Sequence, residues 1–309
     1  MLNVLFAAHP SRWPIYRVPL QDAFAKTALK VDLRTEFAPE QVDYIVYAPN
    51  SSLTDFTPYT RCKAVLSLWA GVENIVCNQT LTQPLTRMVD HGLTQGMSEW
   101  VCGHVLRYHL NIDHFLAHQA GDWVPLVPPL AGDRKVTILG LGELGTACAR
   151  ALAGLGFDVT GWSRTAKQVQ DIRCLHSDDG LTQALTGAEI VVLLLPNTPA
   201  TQNTLNETTL ALLAPGAAIL NPGRGALIDD DALLAALETG QVGHATLDVF
   251  RVEPLPKGHP YWAHPRVTVT PHIAAETRPE TASRIVAENI RRNEAGAPMR
   301  FLVDRSQGY

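Results

Sequence analysis

The chain has 309 residues, 46% of them apolar and 18% charged, with a formal net charge of −5 at pH 7. Those figures describe a globular chain of about two domains, and a negative balance without any basic block argues against nucleic acid as the main partner. The longest apolar run, residues 190–195, is far too short to span a bilayer, so no membrane partner is expected.

The opening MLNVLFAAHPSRWP has no basic segment ahead of its apolar residues and is not expected to be a signal peptide. Five scattered cysteines without a C-x-x-C spacing point to reduced thiols and a cytoplasmic protein. Val4–Ala8, Lys30–Arg34, Tyr44–Tyr47 and Ala64–Leu68 read as buried strands, with a helix near Pro19–Leu29 and one more short strand at Thr86–Val89. From Ser98 to Ala120, Val101, Val105, Tyr108, Ile112 and Phe115 recur at helical spacing, and Gly121 can end that helix. His114 and His118 share a face there at the spacing of a metal pair. No glutamate or third ligand lies nearby, so a solvated helix surface is the expectation and no metal site is assigned. Pro125, Pro128 and Pro129 then mark an irregular connector over residues 122–133.

The stretch KVTILGLGELGTACARALAGLGFD, Lys135 to Asp158, organises the rest. Val136–Leu139 is a short branched apolar run, as a buried parallel strand should be. Gly140, Gly142 and Gly145 give G-x-G-x-x-G where strand passes to helix, with Glu143 and Leu144 inside the loop. The glycines serve a tight turn, close approach of a pyrophosphate and close helix–strand packing, and the helix start favours the phosphates. Taken alone the motif is a glycine-rich turn; the strand before it, the alanine-rich helix after it and a second strand at Val159–Trp162 define a dinucleotide-binding unit. NAD sites carry an acid at the far end of that second strand to hold the ribose 2′-hydroxyl. Asp158 opens the strand instead, and its far end reads Ser163-Arg164-Thr165 with Lys167 following. Donors and positive charge suit a 2′-phosphate, so NADP(H) is favoured over NAD(H), the bland alternative being a surface arginine.

Beyond it, Ile190–Leu195 and Ala217–Leu220 read as strands, Asp229–Glu238 as a helix stopped by Gly240, and Ala245–Val249 and Val267–Val269 as strands. Pro279 and Gly296 frame a last helix. The expected fold is α/β, with two Rossmann-like or flavodoxin-like domains built on doubly wound parallel sheets. Residues 1–97 and 280–309 form a substrate domain, into which a dinucleotide-binding domain, 98–279, is inserted. Three polar side chains follow three of these strands: Arg224 in Asn221-Pro222-Gly223-Arg224-Gly225, Glu253 after Asp248, and His272 in Thr270-Pro271-His272. Carboxyl ends of parallel strands are where such sheets bind ligands. Singly, each also reads as a surface ion pair, a loop charge and a turn histidine.

Together these stretches resemble the D-isomer-specific 2-hydroxyacid dehydrogenases over nearly the whole length, within them the branch that reduces glyoxylate and hydroxypyruvate. The resemblance rests on Trp162–Thr165, LLPNTPAT (Leu194–Thr201), DVFRVEPLP (Asp248–Pro256), HPRVTVTPHIAAETRP (His264–Pro279) and the terminal Gly308-Tyr309. It implies NADPH-dependent reduction of a small 2-keto acid. Arg224 binds the carboxylate and polarises the carbonyl, His272 is the general acid, and Glu253 holds the imidazole and favours its protonated form. Pro196, Asn221 and Asp248 belong to the cofactor site, Asp248 steering the nicotinamide carboxamide. The first hundred residues match loosely except at Ala70-Gly71-Val72, a turn that in the family offers N–H groups to the substrate carboxylate. Trp69 stands where most members have glycine; with Tyr47 it is a candidate for the substrate-pocket wall, or a core aromatic. The resemblance further implies closure of a cleft between the domains and a homodimer formed through helices of the cofactor domain. Two alternatives share the fold: dinucleotide-sensing corepressors, and formate or phosphite dehydrogenases, of which the formate enzymes carry Gln where Glu253 stands.

Overall fold

The computed structural model describes residues Met1–Arg305, so the Gly308-Tyr309 end lies outside the described residues. The chain begins with β1 (Leu2–Ala7), α1 (Trp13–Ala25), β2 (Val31–Arg34), β3 (Tyr44–Tyr47), β4 (Ala64–Ser67), α2 (Glu73–Val76) and β5 (Leu85–Thr86). There follow α3 (His91–His109), α4 (Ile112–Ala117), β6 (Lys135–Leu139), α5 (Glu143–Gly154), β7 (Asp158–Ser163), β8 (Arg173–His176), α6 (Ser177–Leu185) and β9 (Ile190–Leu193). Last come α7 (Glu207–Leu210), β10 (Ala217–Asn221), α8 (Asp230–Thr239), β11 (Val242–Leu247), β12 (Val267–Val269) and α9 (Pro279–Glu294). The chain divides into two compact units, one of residues 1–93 with the segment from 277 onward, the other of residues 94–276.

The first unit is built on a parallel sheet of order β2-β1-β3-β4-β5. Its strands alternate which face they fill: Val4, Phe6, Tyr44 and Val46 pack with Leu20 of α1 and Ile290 of α9, while Leu5, Ile45 and Val65 pack with Phe56 and Ile75. A strand apolar on both faces reads as a continuous run, which is why these strands are visible as runs in the sequence. The helix expected at Pro19–Leu29 lies at Trp13–Ala25 instead: Pro14, not Pro19, sits in the first turn, where its missing N–H is harmless.

In the second unit the order is β12-β11-β10-β9-β6-β7-β8, again all parallel. Strand order reverses between β6 and β9, the switch point at which a doubly wound sheet opens a crevice for a dinucleotide. The single helix expected at Ser98–Ala120 is two. It starts earlier, because the Asp90 carboxylate accepts the Leu93 N–H at 2.6 Å, and it stops at His109, because Asn111 takes a left-handed conformation (φ +53°) before α4. The edge strand β8 and helix α6 have no counterpart among the expected elements, since a half-exposed edge carrying Arg173 and His176 lacks an apolar run. Among the described residues no helix is long and apolar enough to cross a membrane.

Candidate active site

The loop after β6 shows a division of labour among its glycines. Gly140 has φ +111°, and a Cβ there would meet the Leu194 carbonyl oxygen at 2.5 Å; a Cβ on Gly145 would meet the Gly140 carbonyl oxygen at 1.7 Å. Those two hold strand, turn and helix together. A Cβ on Gly142 would meet nothing within 4 Å. Open space therefore faces the residue that caps α5, whose first turn contains Glu143 and Leu144. Backbone donors at a helix start beside an unfilled approach fit a pyrophosphate.

At the end of β7, Ser163 is buried and its hydroxyl donates to the Thr165 carbonyl at 2.8 Å, tightening the turn from which the exposed Arg164 projects. The same turn borders a surface hollow of about 620 Å³ lined by Lys167, Val169, Ile172, Cys174 and His176. Lys167 is its basic lining residue, and Val169 and Ile172 are among its apolar ones. On the other side of β6, Pro196 follows β9 and its carbonyl accepts the Thr201 hydroxyl at 2.6 Å.

The catalytic candidates come from the loops after β10, β11 and β12, three neighbouring strands. Arg224 lies half-buried directly after β10, its Nη1 donating to the Gly223 carbonyl at 2.7 Å. Asn221, 1% exposed, shapes that turn: its side-chain amide donates to the Arg224 carbonyl at 2.9 Å and its oxygen accepts the Gly223 N–H at 3.2 Å. Glu253 is gripped on both oxygens, Oε1 by the Phe250 N–H and Oε2 by His272 Nδ1, each at 2.8 Å. A carboxylate only accepts, so Nδ1 carries the hydrogen of that bond, and Nε2 is left as the atom that exchanges a proton. The pair is open to solvent, the histidine side chain 55% and the glutamate 36% exposed.

His272 has a left-handed backbone (φ +55°), uncommon for a side-chain-bearing residue and held only where surroundings insist. What insists is Asp248, 1% exposed. Its carbonyl accepts the His272 N–H at 2.8 Å; its carboxylate accepts the Thr270 hydroxyl at 2.6 Å and the N–H groups of Ile273 and Ala274, each at 2.9 Å. Asn221 and Asp248 are expected at the cofactor. The structure engages their buried side chains in holding the Arg224 and His272 loops, a use of polar atoms that spacing along the chain does not reveal.

In the first unit, Trp69 is 38% exposed and Ser67 clasps it, the hydroxyl donating to the Trp69 carbonyl at 3.0 Å and accepting its N–H at 3.1 Å. Among the described residues no acceptor takes the N–H groups of Ala70, Gly71 or Val72, which precede α2. Of the two places open to Tyr47, pocket wall or core, the structure gives the core: it is 6% exposed, with its ring 5.7 Å from that of Phe56. A residue at the end of a strand buried on both faces has no open side to offer. His118 is tied to its own helix, with Nδ1 2.6 Å from the His114 carbonyl.

Residues 104–274 match the family model described as D-isomer specific 2-hydroxyacid dehydrogenase, NAD binding domain. The chain belongs to the D-isomer specific 2-hydroxyacid dehydrogenase family. Among individual relatives it is similar to glyoxylate/hydroxypyruvate reductase A of Serratia proteamaculans, 43% identical over 257 residues, 81% of this chain and 82% of that protein. Of solved structures, a D-isomer specific 2-hydroxyacid dehydrogenase from Xanthobacter autotrophicus in complex with NADPH and MES superposes with a TM-score of 0.92 at 40% identity, covering 100% of this chain and 99% of the other. The NADPH-dependent glyoxylate/hydroxypyruvate reductase of Sinorhizobium meliloti, in complex with NADP and sulfate, gives 0.85 at 31% identity, with 100% and 99% coverage.

Proposed function

We propose that the chain reduces small 2-keto acids, glyoxylate and hydroxypyruvate, to 2-hydroxy acids with NADPH. The observation that carries this reading is the His272–Glu253 pair, joined at 2.8 Å, on the same sheet edge as Arg224. When bound, the dihydronicotinamide supplies the hydride. Arg224, a planar forked donor, binds the carboxylate and draws charge toward the carbonyl oxygen. His272 gives the Nε2 proton to that oxygen as it becomes an alkoxide, and Glu253 stabilises the imidazolium beforehand by opposite charge. The second unit is the dinucleotide-binding domain, and Arg164, Thr165 and Lys167 select the 2′-phosphate. The first unit is the substrate domain, in which the N–H groups of Ala70, Gly71 and Val72 serve a carboxylate. The names of the relatives and the NADP in two of their structures support the choice of substrate and cofactor.

The decisive experiment is NADPH oxidation with a panel of 2-keto acids, repeated with NADH. Glyoxylate and hydroxypyruvate turn over faster with NADPH; absence of turnover with every keto acid returns the chain to the dinucleotide-sensing class. Trp69 beside the 70–72 turn narrows the range of substrates, so phenylpyruvate has the lower kcat/KM, and Trp69→Gly narrows that gap by up to about 1–3 kcal/mol. An unchanged ratio in the variant removes Trp69 from the pocket.

We further infer a homodimer. Residues 118–130 have no regular structure and leave Trp123 95%, Val127 88% and Leu130 79% exposed, with Leu116 of α4 at 62%. A contiguous apolar run of that kind is buried by a second copy of the chain. Sedimentation equilibrium reads the mass, and Trp123→Ser with Val127→Ser shifts it toward the monomer. The chain acts in the cytoplasm, where its five free cysteines stay reduced; cell fractionation checks the location.

A further inference from the structure

Arg224 and Glu253 sit in loops that follow adjacent strands, β10 and β11. Such loops keep one mutual geometry only if something fastens them. One fastening is backbone contact: a Cβ on Gly225 would meet the Phe250 carbonyl carbon at 2.0 Å and the Arg251 nitrogen at 2.4 Å, so the residue after Arg224 lies directly on the loop that leads to Glu253. The other is the Arg251 side chain. Its guanidinium donates to the Ile228 carbonyl and to Asn203 Oδ1, and its Nε is 3.3 Å from Asp230 Oδ2 at the start of α8. Two of those three partners are themselves fixed. The Asn203 N–H donates to the Ala226 carbonyl at 2.9 Å, and Asp230 Oδ1 accepts the hydroxyl of the buried Tyr261 at 2.9 Å. One planar fork thus clamps the loop of Glu253 to the segment that carries Arg224.

We propose that Arg251 is a positioning residue for the reduction. It rests on the reading of His272 as proton donor and deepens it. Phe250, next to Arg251, supplies the N–H that holds Glu253 Oε1, and Glu253 Oε2 holds His272. Arg251 therefore sets where the carboxylate stands, and through it the distance between the proton-donating imidazole and the carboxylate-binding guanidinium of Arg224. Lysine, a point charge without the fork, cannot make the three contacts together.

The test is Arg251→Lys assayed with glyoxylate and NADPH across pH. A small misplacement of reacting groups lowers rate steeply, so kcat falls about ten- to hundred-fold while the Kd for NADPH is unchanged. The alkaline limb of the kcat/KM profile moves to lower pH, because a loosened carboxylate stabilises the imidazolium less; loss of stability alone lowers Tm and leaves that limb in place. Asp230→Asn, which removes the ion pair from the other side, moves the limb in the same direction and serves if Arg251→Lys does not fold. Glu253→Gln is the control. If it leaves the profile unmoved, the proton-donor reading is what fails. If it moves the limb while Arg251→Lys and Asp230→Asn superimpose on the unmodified protein, the role of Arg251 is overturned and the reading stands.

Discussion

The two edges of the seven-stranded sheet carry the same three kinds of side chain and use them differently. At the carboxyl edge stand Arg224, Glu253 and His272; at the amino edge, near the starts of β10 and β11, stand Arg107, Asp113 and His244. On the amino edge the acid goes to the guanidinium: Arg107 Nε reaches both Asp113 oxygens at 2.9 Å and Nη2 reaches Oδ1 at 2.6 Å. His244 is left with the Thr268 hydroxyl at 3.0 Å, to which Arg107 also donates at 2.9 Å. Burial, with the Arg107 charge adding to it, pushes that imidazole down to about 4, so it is neutral near pH 7. On the carboxyl edge the acid goes to the imidazole, which is exposed. Pairing and burial, not the residue types present, set the two histidines apart.

The largest effect expected from this contrast is on rate. His272→Asn lowers kcat by about two to four decades with NADPH still binding, whereas His244→Asn keeps kcat close to the unmodified value; equal losses in the two variants erase the distinction. Next comes Arg224→Met, which lowers kcat/KM for glyoxylate by about 10²–10³ and leaves the NADPH Kd unchanged in a fluorescence titration. Coupled loss of both would move Arg224 from the substrate to the cofactor. Arg164→Asp removes a charge-assisted phosphate contact and adds a repulsive one, so the NADPH/NADH ratio of kcat/KM falls by about 1.5–3 kcal/mol. The same ratio in variant and parent would contradict its role.

The smallest effect concerns stability and pH. The ordinary value for His244 is 6.5 and the folded one about 4. Between them the unfolded chain binds a proton that the folded chain refuses, so stability rises with pH across that window and is lost as pH falls from 6.5 toward 4. His244→Gln retains a partner for Thr268 and does not titrate. Its Tm declines less steeply over the same window than that of the parent, and parallel curves would show that His244 is not the group responsible.

Several of these features are legible in the order of amino acids alone. Strands such as Tyr44–Tyr47 and Ile190–Leu193 coincide with apolar runs in the sequence, because a strand covered on both faces is apolar throughout. The Gly140, Gly142 and Gly145 spacing is local chemistry within one loop and needs no distant partner to be recognised. Helix ends are harder: Asp90 as a cap and Asn111 as a left-handed break each hinge on a single residue whose alternatives cost only about a kilocalorie. The loop-holding bonds of Asn221 and Asp248 are not legible there, because a polar residue at a strand end looks the same along the chain whether it faces a ligand or a loop. Tyr47 reads equally as a pocket wall or a core aromatic, and only packing against Phe56 decides for the core.

By itself, then, the sequence determined what short-range physics controls: two doubly wound parallel sheets, the cofactor loop, the absence of an acid at the end of β7, and the identity of the residues that follow each strand. Tertiary structure decided pairing. Glu253 lies 19 positions from His272 and Asp248 lies 25 and 26 positions from the Ile273 and Ala274 amides it accepts. Contacts of that span form when neighbouring parallel strands bring their carboxyl ends together, and a parallel register is set by packing of whole strands rather than by any local signal. That is why one Arg, acid and histidine set left its imidazole paired with the acid and open to solvent, while in the other the acid went to the guanidinium and the half-buried imidazole stays neutral near pH 7.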